Sequence, residues 1–355
     1  MTAARQDGDG RVRVRPLDAG AVDPELVLAA FAAETGSHVV TRPQSVAFAR
    51  FERTFDAAAY RGRLQAAGLR WVGRSDPAFP ARLRAIHDPP PGLFVRGTAP
   101  LSLLERPCVA VVGARACSSY GTEVAHGLGA ALAAAGVVVV SGLARGVDGA
   151  AHRGALERGP TVAVLGCGID RDYPLAHAQL AQRIAADGLI LSEYAPGVEP
   201  APWRFPARNR IVAGLCDATV VVEARERSGA LITADLALDE GREVFAVPGE
   251  ITSHLSHGTN ALLRLGATPF TSANDVLEAL GIDPAEPEVS AGTAAREPEP
   301  RLAAVHAAVV DAPASVDALV HRTGLAAGDV AAALAELEVL GLVSQAGGLY
   351  RGVMR

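Results

Sequence analysis

The chain has 355 residues, 49% hydrophobic and only 5% aromatic, with a formal net charge of -6. That length predicts two or three domains around a core built mainly from Ala, Val and Leu. All 33 basic residues are Arg and no Lys occurs, which excludes a Walker-type phosphate loop, a Schiff-base lysine and a lysine general base. Any anion this protein holds is held by Arg, by backbone N–H groups or by a helix N-terminus. No apolar run approaches 18 residues and no signal-type N-terminus is visible, so a cytoplasmic protein without membrane insertion is expected. Cys108, Cys117, Cys167 and Cys216 are scattered with no CxxC pair, which fits reduced, near-core residues and neither metal ligands nor a disulfide set.

Residues 1–20, with the polar stretch DGDGRVRVR and no apolar period, are expected to be disordered. A helical N-terminal module over 21–85 follows. It carries helical stretches at 24–35 and 43–67, where Val46, Phe48, Phe51 and Phe55 recur at helix-compatible intervals. The Pro-rich connector LRWVGRSDPAFPARLRAIHDPPPGLFVRG ends in a strand near 93–96. An α/β domain occupies 86–282, its β-branched runs at 109–112, 137–140, 161–165, 189–191, 219–222 and 243–247 alternating with Ala-rich helices. Residues 283–300 form a linker with four prolines, five acidic residues and a single Arg. The final segment, 301–355, reads as a winged helix with helices near 301–310, 315–323 and 327–340 and a hairpin around Gly347–Gly348.

The strand exits carry the chemistry. CVAVV opens into GARACSSYG, where a Gly at the strand end lets backbone N–H groups approach an anion and Arg115 supplies a charged fork. It is not a full GxGxxG fingerprint. The next exit, SGLARGVDGAAH, ends its strand at Ser141, frees its turn with Gly142 and Gly146, and sets Arg145 between them. Asp148 is placed to cap the following helix, and His152 one turn on fits a helix-packing residue. GCGIDRDYP and SEYAPG are further exits whose Gly and Pro also serve as turn punctuation.

Between them and the next strand lies PWRFPARNRIVAG, with Arg204, Arg208, Asn209 and Arg210 interleaved with Trp203 and Phe205. Guanidinium forks suit phosphate oxygens, and aromatic faces can stack on bases. Extended, the segment would point Arg208 and Arg210 to one side and Asn209 to the other. Taken alone the segment favours an Arg-rich surface loop, and Phe205, preceding Pro206, fits a buried position as well as a stacking one. The strand VVVEA then leads through ARERSG into a helix with Ser228 and Gly229 at its N-terminus. In an open parallel sheet, ligands bind outside the carboxyl ends of the strands, so an anionic ligand is inferred there.

Seven motifs in order over roughly residues 107–270 (VGARACSSYG, SGLARGVDGAAH, GCGIDRDYP, SEYAPG, FPARNRIVAGL, VVVEARERSGALITA and GREVFAVPG) resemble the DNA-processing protein A family, also called DprA or Smf. The resemblance implies an extended Rossmann-like parallel sheet that binds and protects single-stranded DNA and helps load the RecA recombinase during natural transformation. It also implies homodimerisation through that domain and no catalytic turnover. Carried over by motif, Arg115, Ser141, Arg145, Arg208, Asn209 and Arg210 would line the DNA groove. Arg204 of the same segment is counted with them, and Ser228, Gly229 and Thr233 join, with helix capping as the competing role.

Other features fit less closely. The N-terminal module shows no helix-hairpin-helix signature. In SHLSHGTNALL, read as a loop, His254 and His257 have HxxH spacing without a third ligand, so no metal and no cofactor are expected. The third helix of the winged helix contains Asp329, Glu336 and Glu338 and no Arg, which disfavours duplex reading and suits a protein contact or a structural role. Two other function classes stay open. One is a Rossmann-like nucleotide hydrolase of the lysine-decarboxylase-like group, although its PGGxGTxxE pattern is missing and Glu193, Glu223 and Asp235 have no acid–base partner in sequence. The other is a scaffold that only dimerises and recruits partners.

Overall fold

The computed structural model describes residues 23–37, 41–283, 300–346 and 348–352. The expected disorder at 1–20 and nearly all of the acidic linker lie outside the described residues. Three helices come first, α1 (Pro24–Thr35), α2 (Val46–Thr54) and α3 (Ala57–Ala66). Asp23, Ser45 and Asp56 cap them by accepting hydrogen bonds from backbone N–H groups of the first turns. The apolar stretch expected over 43–67 therefore breaks in two, because Phe55 is extended and Asp56 starts a new helix. Phe31, Phe48, Phe51 and Phe55 pack ring against ring at 5.1–5.5 Å.

The segment expected to be a connector is structured. It contains β1 (Leu69–Gly73), the single turn α4 (Ala81–Arg84) and β2 (Gly92–Arg96). β1 pairs antiparallel with β2, and β2 pairs antiparallel with a strand of the main sheet. The sheet thus begins at residue 69, and a boundary at 85 cuts between two of its paired strands. β1 escaped detection because it is a short edge strand in which exposed Arg70 and half-buried Trp71 interrupt the alternation.

The rest alternates strand and helix: β3 (Cys108–Val112), α5 (Ser119–Ala134), β4 (Val138–Ser141), α6 (Val147–Ala155), β5 (Thr161–Val164), α7 (Ala178–Asp187) and β6 (Leu189–Ser192). Then follow α8 (Arg204–Leu215), β7 (Ala218–Val221), α9 (Gly229–Asp239), β8 (Glu243–Ala246), α10 (His257–Arg264), β9 (Thr268–Pro269) and α11 (Ala273–Ala279). The strand order is β1-β2-β6-β5-β4-β3-β7-β8-β9, parallel from β6 to β9. Both faces are covered. Cys108, Ala110 and Val112 face the layer of α8, α9 and α10, while Val109 and Val111 face α5, α6 and α11. That two-sided burial is why these strands read as continuous Val-rich runs.

The chain steps outward from β3 through β4 and β5 to β6, then α8 carries it back across β5, β4 and β3 to start β7 on the far side. A winged helix of α12 (Pro300–Asp311), α13 (Val316–Thr323), α14 (Ala327–Val339) and the hairpin β10 (Val343–Ala346) and β11 (Leu349–Gly352) closes the chain. Its core is aliphatic, and Asp329, Glu336 and Glu338 are exposed on α14.

Two buried polar groups hold this frame. His152 on α6 is fully buried, and its Nδ1 lies 2.8 Å from Thr161 Oγ1. The Thr161 hydroxyl donates to the Val139 carbonyl at 2.7 Å, so Nδ1 carries the imidazole proton. Burial, aided by the charges of His177, Arg208 and Arg153, pushes the His152 pKa down to about 3. On α8, Arg210 donates from Nη1 and Nη2 to the two Glu193 carboxylate oxygens at 2.8 and 2.7 Å, and from Nε to Asp88 at 2.9 Å. Burial opposes the Arg210 charge, and the two carboxylates more than offset it, so its pKa is raised.

A depressed histidine pKa means that the unfolded chain binds more protons between about pH 6.5 and 3, so stability falls as pH falls through that window. His152→Leu should flatten this dependence by about 1 kcal/mol per pH unit, read as the difference in urea-unfolding free energy from wild type between pH 6 and 4.5. Arg210→Ala should cost roughly 3–5 kcal/mol at neutral pH, because it removes the guanidinium that neutralises the buried Glu193 carboxylate. A loss below 1 kcal/mol in the same unfolding measurement would contradict that role.

Candidate nucleic-acid interface

The sheet reverses direction at β3, whose neighbours β4 and β7 are reached by connections running opposite ways. A crevice outside the strand carboxyl ends is expected at such a point. A cleft of about 220 Å³ lies there. Gly113 and Arg115 after β3, Gly142 and Ala144 after β4, and Ser228, Gly229 and Thr233 at the start of α9 form three of its sides. The face of α8 closes it.

The Arg-rich segment is helical and not extended. Successive residues turn by about 100°, so Arg208 and Arg210 lie about 200° apart on opposite sides of α8. Phe205, Arg208, Asn209 and Val212 form the cleft-facing stripe, the i, i+3, i+4, i+7 pattern of one helical face. Arg208 is buried at the cleft floor, donating from Nη1 to the Gly142 carbonyl at 2.9 Å and to the Val164 carbonyl. Asp148 is its counter-charge. A Cβ at Gly142 would run into the Arg208 guanidinium and lie 2.7 Å from Asp148 Oδ2, so the residue there must be Gly.

Asp148 does not cap α6. Its Oδ2 accepts from the backbone N–H groups of Gly142 at 3.1 Å and Ala144 at 3.2 Å, bracing the β4–α6 loop from below. Between them Leu143 sits at φ 58°, a costly conformation for a branched side chain. His177 Nδ1 holds its carbonyl at 3.0 Å. Burial pushes the Asp148 carboxyl up, against the pull of Arg208 and the loop N–H groups. Burial likewise pushes the Arg208 guanidinium down, against the pull of Asp148.

Above this braced floor the chemistry is open. Arg115 is exposed, with its guanidinium 5.3 Å from the Phe205 ring centre. Arg145 is exposed in the adjoining hollow. Neither makes an ion pair among the described residues. The N-terminus of α9 points its dipole at the cleft. Ser228 caps it, accepting from the N–H of Ala230 at 3.3 Å, so capping and lining coexist in one residue. Asn209 donates from Nδ2 to the Gly229 carbonyl at 3.1 Å, and buried Thr233 donates to the same oxygen at 3.5 Å.

Three residues expected in the groove are engaged elsewhere. Ser141 is fully buried, its hydroxyl donating to the Val111 carbonyl at 2.6 Å and tying β4 to β3. Arg204 is buried, bonded to the Glu199 and Gly36 carbonyls and stacked against Tyr194 and Trp203 at 5.3 and 4.7 Å. Arg210 is held by Glu193 and Asp88. Phe205, which sequence left divided between core and stacking, is the aromatic of the cleft, while Trp203 does not line it.

Of the three acidic residues weighed for catalysis, Glu193 and Glu223 are structural partners and Asp235 is exposed on α9, away from the cleft lining. Glu193 grips Arg210, and Glu223 accepts from the Ser118 N–H at 2.8 Å and its hydroxyl at 2.5 Å. Half of SHLSHGTNALL is helix α10, not loop, with Thr259 buried. Among the described residues no group of three or more His, Cys, Asp or Glu could hold a metal ion, and no helix is long and apolar enough to cross a membrane.

Comparison with known proteins agrees with this architecture. Residues 70–281 match the family model for DNA recombination-mediator protein A, and residues 289–348 match the DprA winged helix domain. The chain is 49% identical over 207 residues to the DNA processing protein DprA of Streptococcus pneumoniae, covering 57% of this chain and 71% of that protein. It is 39% identical over 308 residues to protein Smf of Synechocystis sp., 77% of each. The X-ray structure of DNA processing protein A from Streptococcus pneumoniae aligns with a TM-score of 0.62 at 39% identity, over 73% of this chain and 94% of that one. DNA processing protein A from Helicobacter pylori, described for its single-stranded DNA binding mode, aligns with a TM-score of 0.55 at 32% identity, over 61% and 97%. A family model that covers the whole parallel sheet, joined to a second on the winged helix, establishes that the chain belongs to the DNA recombination-mediator protein A (DprA) family.

Proposed function

We propose that this protein binds single-stranded DNA across the cleft at the β3–β7 switch point, acting as a non-catalytic mediator. One observation carries the reading: an exposed, ion-pair-free Arg115 lies over an aromatic ring, opposite a helix N-terminus, on a floor whose own charges are already balanced. Phosphate-directed cations beside an aromatic face are what sequence-independent single-strand binding requires. Asn209 and Gly229 add polar groups without sequence selectivity. Arg208 and Asp148 keep the platform rigid.

The same proposal, supported by membership of the family, extends to protection of the strand, delivery to the RecA recombinase in natural transformation and recombination, a homodimeric state, a cytoplasmic setting and the absence of turnover. The net charge of -6 sets low non-specific duplex affinity, because only a local patch attracts phosphate.

Fluorescence anisotropy of a labelled oligothymidine, titrated at several salt concentrations against a competing duplex, tests the reading. Wild type should bind tightly and salt-dependently, with poor displacement by duplex. Arg115→Ala, which alters an exposed side chain, should weaken binding to all sequences and reduce the salt slope by about 0.7, one phosphate contact on a single strand. An Arg115→Ala variant with unchanged affinity and slope would remove the cleft from the function.

A further inference from the structure

A second hollow of about 450 Å³ adjoins the cleft, sharing Arg115, Phe205 and Arg208 with it and adding Ala116, Arg145, Tyr173 and Pro174. Tyr173, on the β5–α7 connection, lies nearly parallel to Phe205, with ring centres 5.4 Å apart and planes 29° apart. It is 40% exposed. A large aromatic left that open needs an explanation when its inner face already has a partner. Arg115 and Tyr173 both lie against Phe205, the guanidinium 5.3 Å from its ring centre and the phenol ring stacked on it, and Arg115 and Phe205 line both hollows.

The charges around Tyr173 favour a nucleotide. The carboxylates on its own loop are tied down, Asp172 to Arg96 at 2.5 Å and Asp170 to the Gly197 N–H at 2.9 Å. Arg171 is paired with Glu199 at 2.6 Å. Facing Tyr173 across the hollow, Arg145 is exposed and makes no ion pair among the described residues. Its loop is fixed by the Asp148 brace and the His177–Leu143 bond, so the cation is carried on a rigid base.

We infer that the Tyr173–Arg145 hollow is a second nucleotide subsite, taking the base next to the one in the cleft on the open face of Tyr173 and the phosphate beyond it on Arg145. This rests on the single-strand reading and extends it: Arg115, which lines both hollows, then holds the phosphate between two consecutive nucleotides. A base stacked on an aromatic face is recognised by its π surface, so the subsite tolerates any sequence.

The test compares wild type, Tyr173→Leu and Tyr173→Phe for binding to oligothymidine and to an abasic sugar–phosphate strand of equal length. Leu preserves an apolar contact with Phe205 but has no π face. Tyr173→Leu should bind oligothymidine about five- to tenfold more weakly with the salt slope of wild type, and Tyr173→Phe should stay within about twofold. On the abasic strand Tyr173→Leu and wild type should bind alike. Unchanged oligothymidine binding by Tyr173→Leu, or a penalty that persists on the abasic strand, would overturn the subsite while single-strand binding by wild type stood. Failure of wild type to bind oligothymidine would overturn both. Should Tyr173→Leu not fold, photo-crosslinking of unmodified protein to a 4-thiothymidine strand decides the matter. Crosslinks on the peptide containing Tyr173 support the subsite, and their absence while other cleft peptides crosslink overturns it.

Discussion

A single buried guanidinium, that of Arg208, fastens the crossover helix to the sheet, and the geometry of the site depends on it. Burying a charge is costly unless it is paired and hydrogen-bonded. Here the strand ends supply the partners: the Gly142 and Val164 carbonyls accept from it, and Asp148 provides the opposite charge. The same Asp148 holds the N–H groups of Gly142 and Ala144, so the carbonyl bonds of Arg208 set the rotation of α8 while its counter-charge sets the path of the β4–α6 loop. With α8 locked in that rotation, Phe205 and Asn209 must face the cleft, and Arg210 must turn away toward Glu193.

The abundance of Arg is therefore a poor guide to where this protein meets an anion. Many of its guanidiniums are structural bolts. Arg82 bonds the Leu104 and Arg106 carbonyls together with Asp217, and Arg84 bonds the carbonyls of Arg74, Asp76 and Phe79. Arg106 closes on the Gly136 carbonyl. A planar fork with five donors suits clustered carbonyls as well as phosphates. What marks out Arg115 and Arg145 is that they are exposed, have no carboxylate partner among the described residues and line the cleft or its adjoining hollow, and that combination belongs to the folded chain.

This explains what could be read from sequence. Six of the seven parallel strands were legible almost to the residue because burial on both faces writes them as unbroken apolar runs, with Gly and Ser at their exits marking the site's edge, whereas the two-residue β9 was not. The winged-helix elements were legible for the same reason of period and punctuation. β1 was not, since an edge strand with Arg70 exposed lacks that signal, and neither was the break at Phe55. Within the Arg segment the missing step was period. Read at two residues it groups Arg208 with Arg210, whereas read at 3.6 it groups Phe205, Arg208, Asn209 and Val212. The helical reading was available, since FPARNRIVAGL carries Pro206 near its start, where proline is tolerated in the first turn. The burial of Ser141 and the partners of Arg204 had no local signature, because each depends on residues distant in sequence.

The distribution of charge gives the proposed single-strand preference a physical basis in two parts. The cleft and the hollow beside it bring together Arg115, Arg145 and the start of α9, and neither arginine makes an ion pair among the described residues. The winged helix, the element that in duplex-reading relatives of this architecture would lay its third helix in the major groove, instead exposes Asp329, Glu336 and Glu338 on α14. Among the described residues Glu336 is the one of the three with an ion-pair partner, Arg301 at 3.3 Å. Phosphates approaching that helix meet repulsion, and screening confines each effect to about 8 Å at physiological salt. Attraction and repulsion therefore act locally and do not cancel. A flexible strand can bend into the first and away from the second more readily than a stiff duplex.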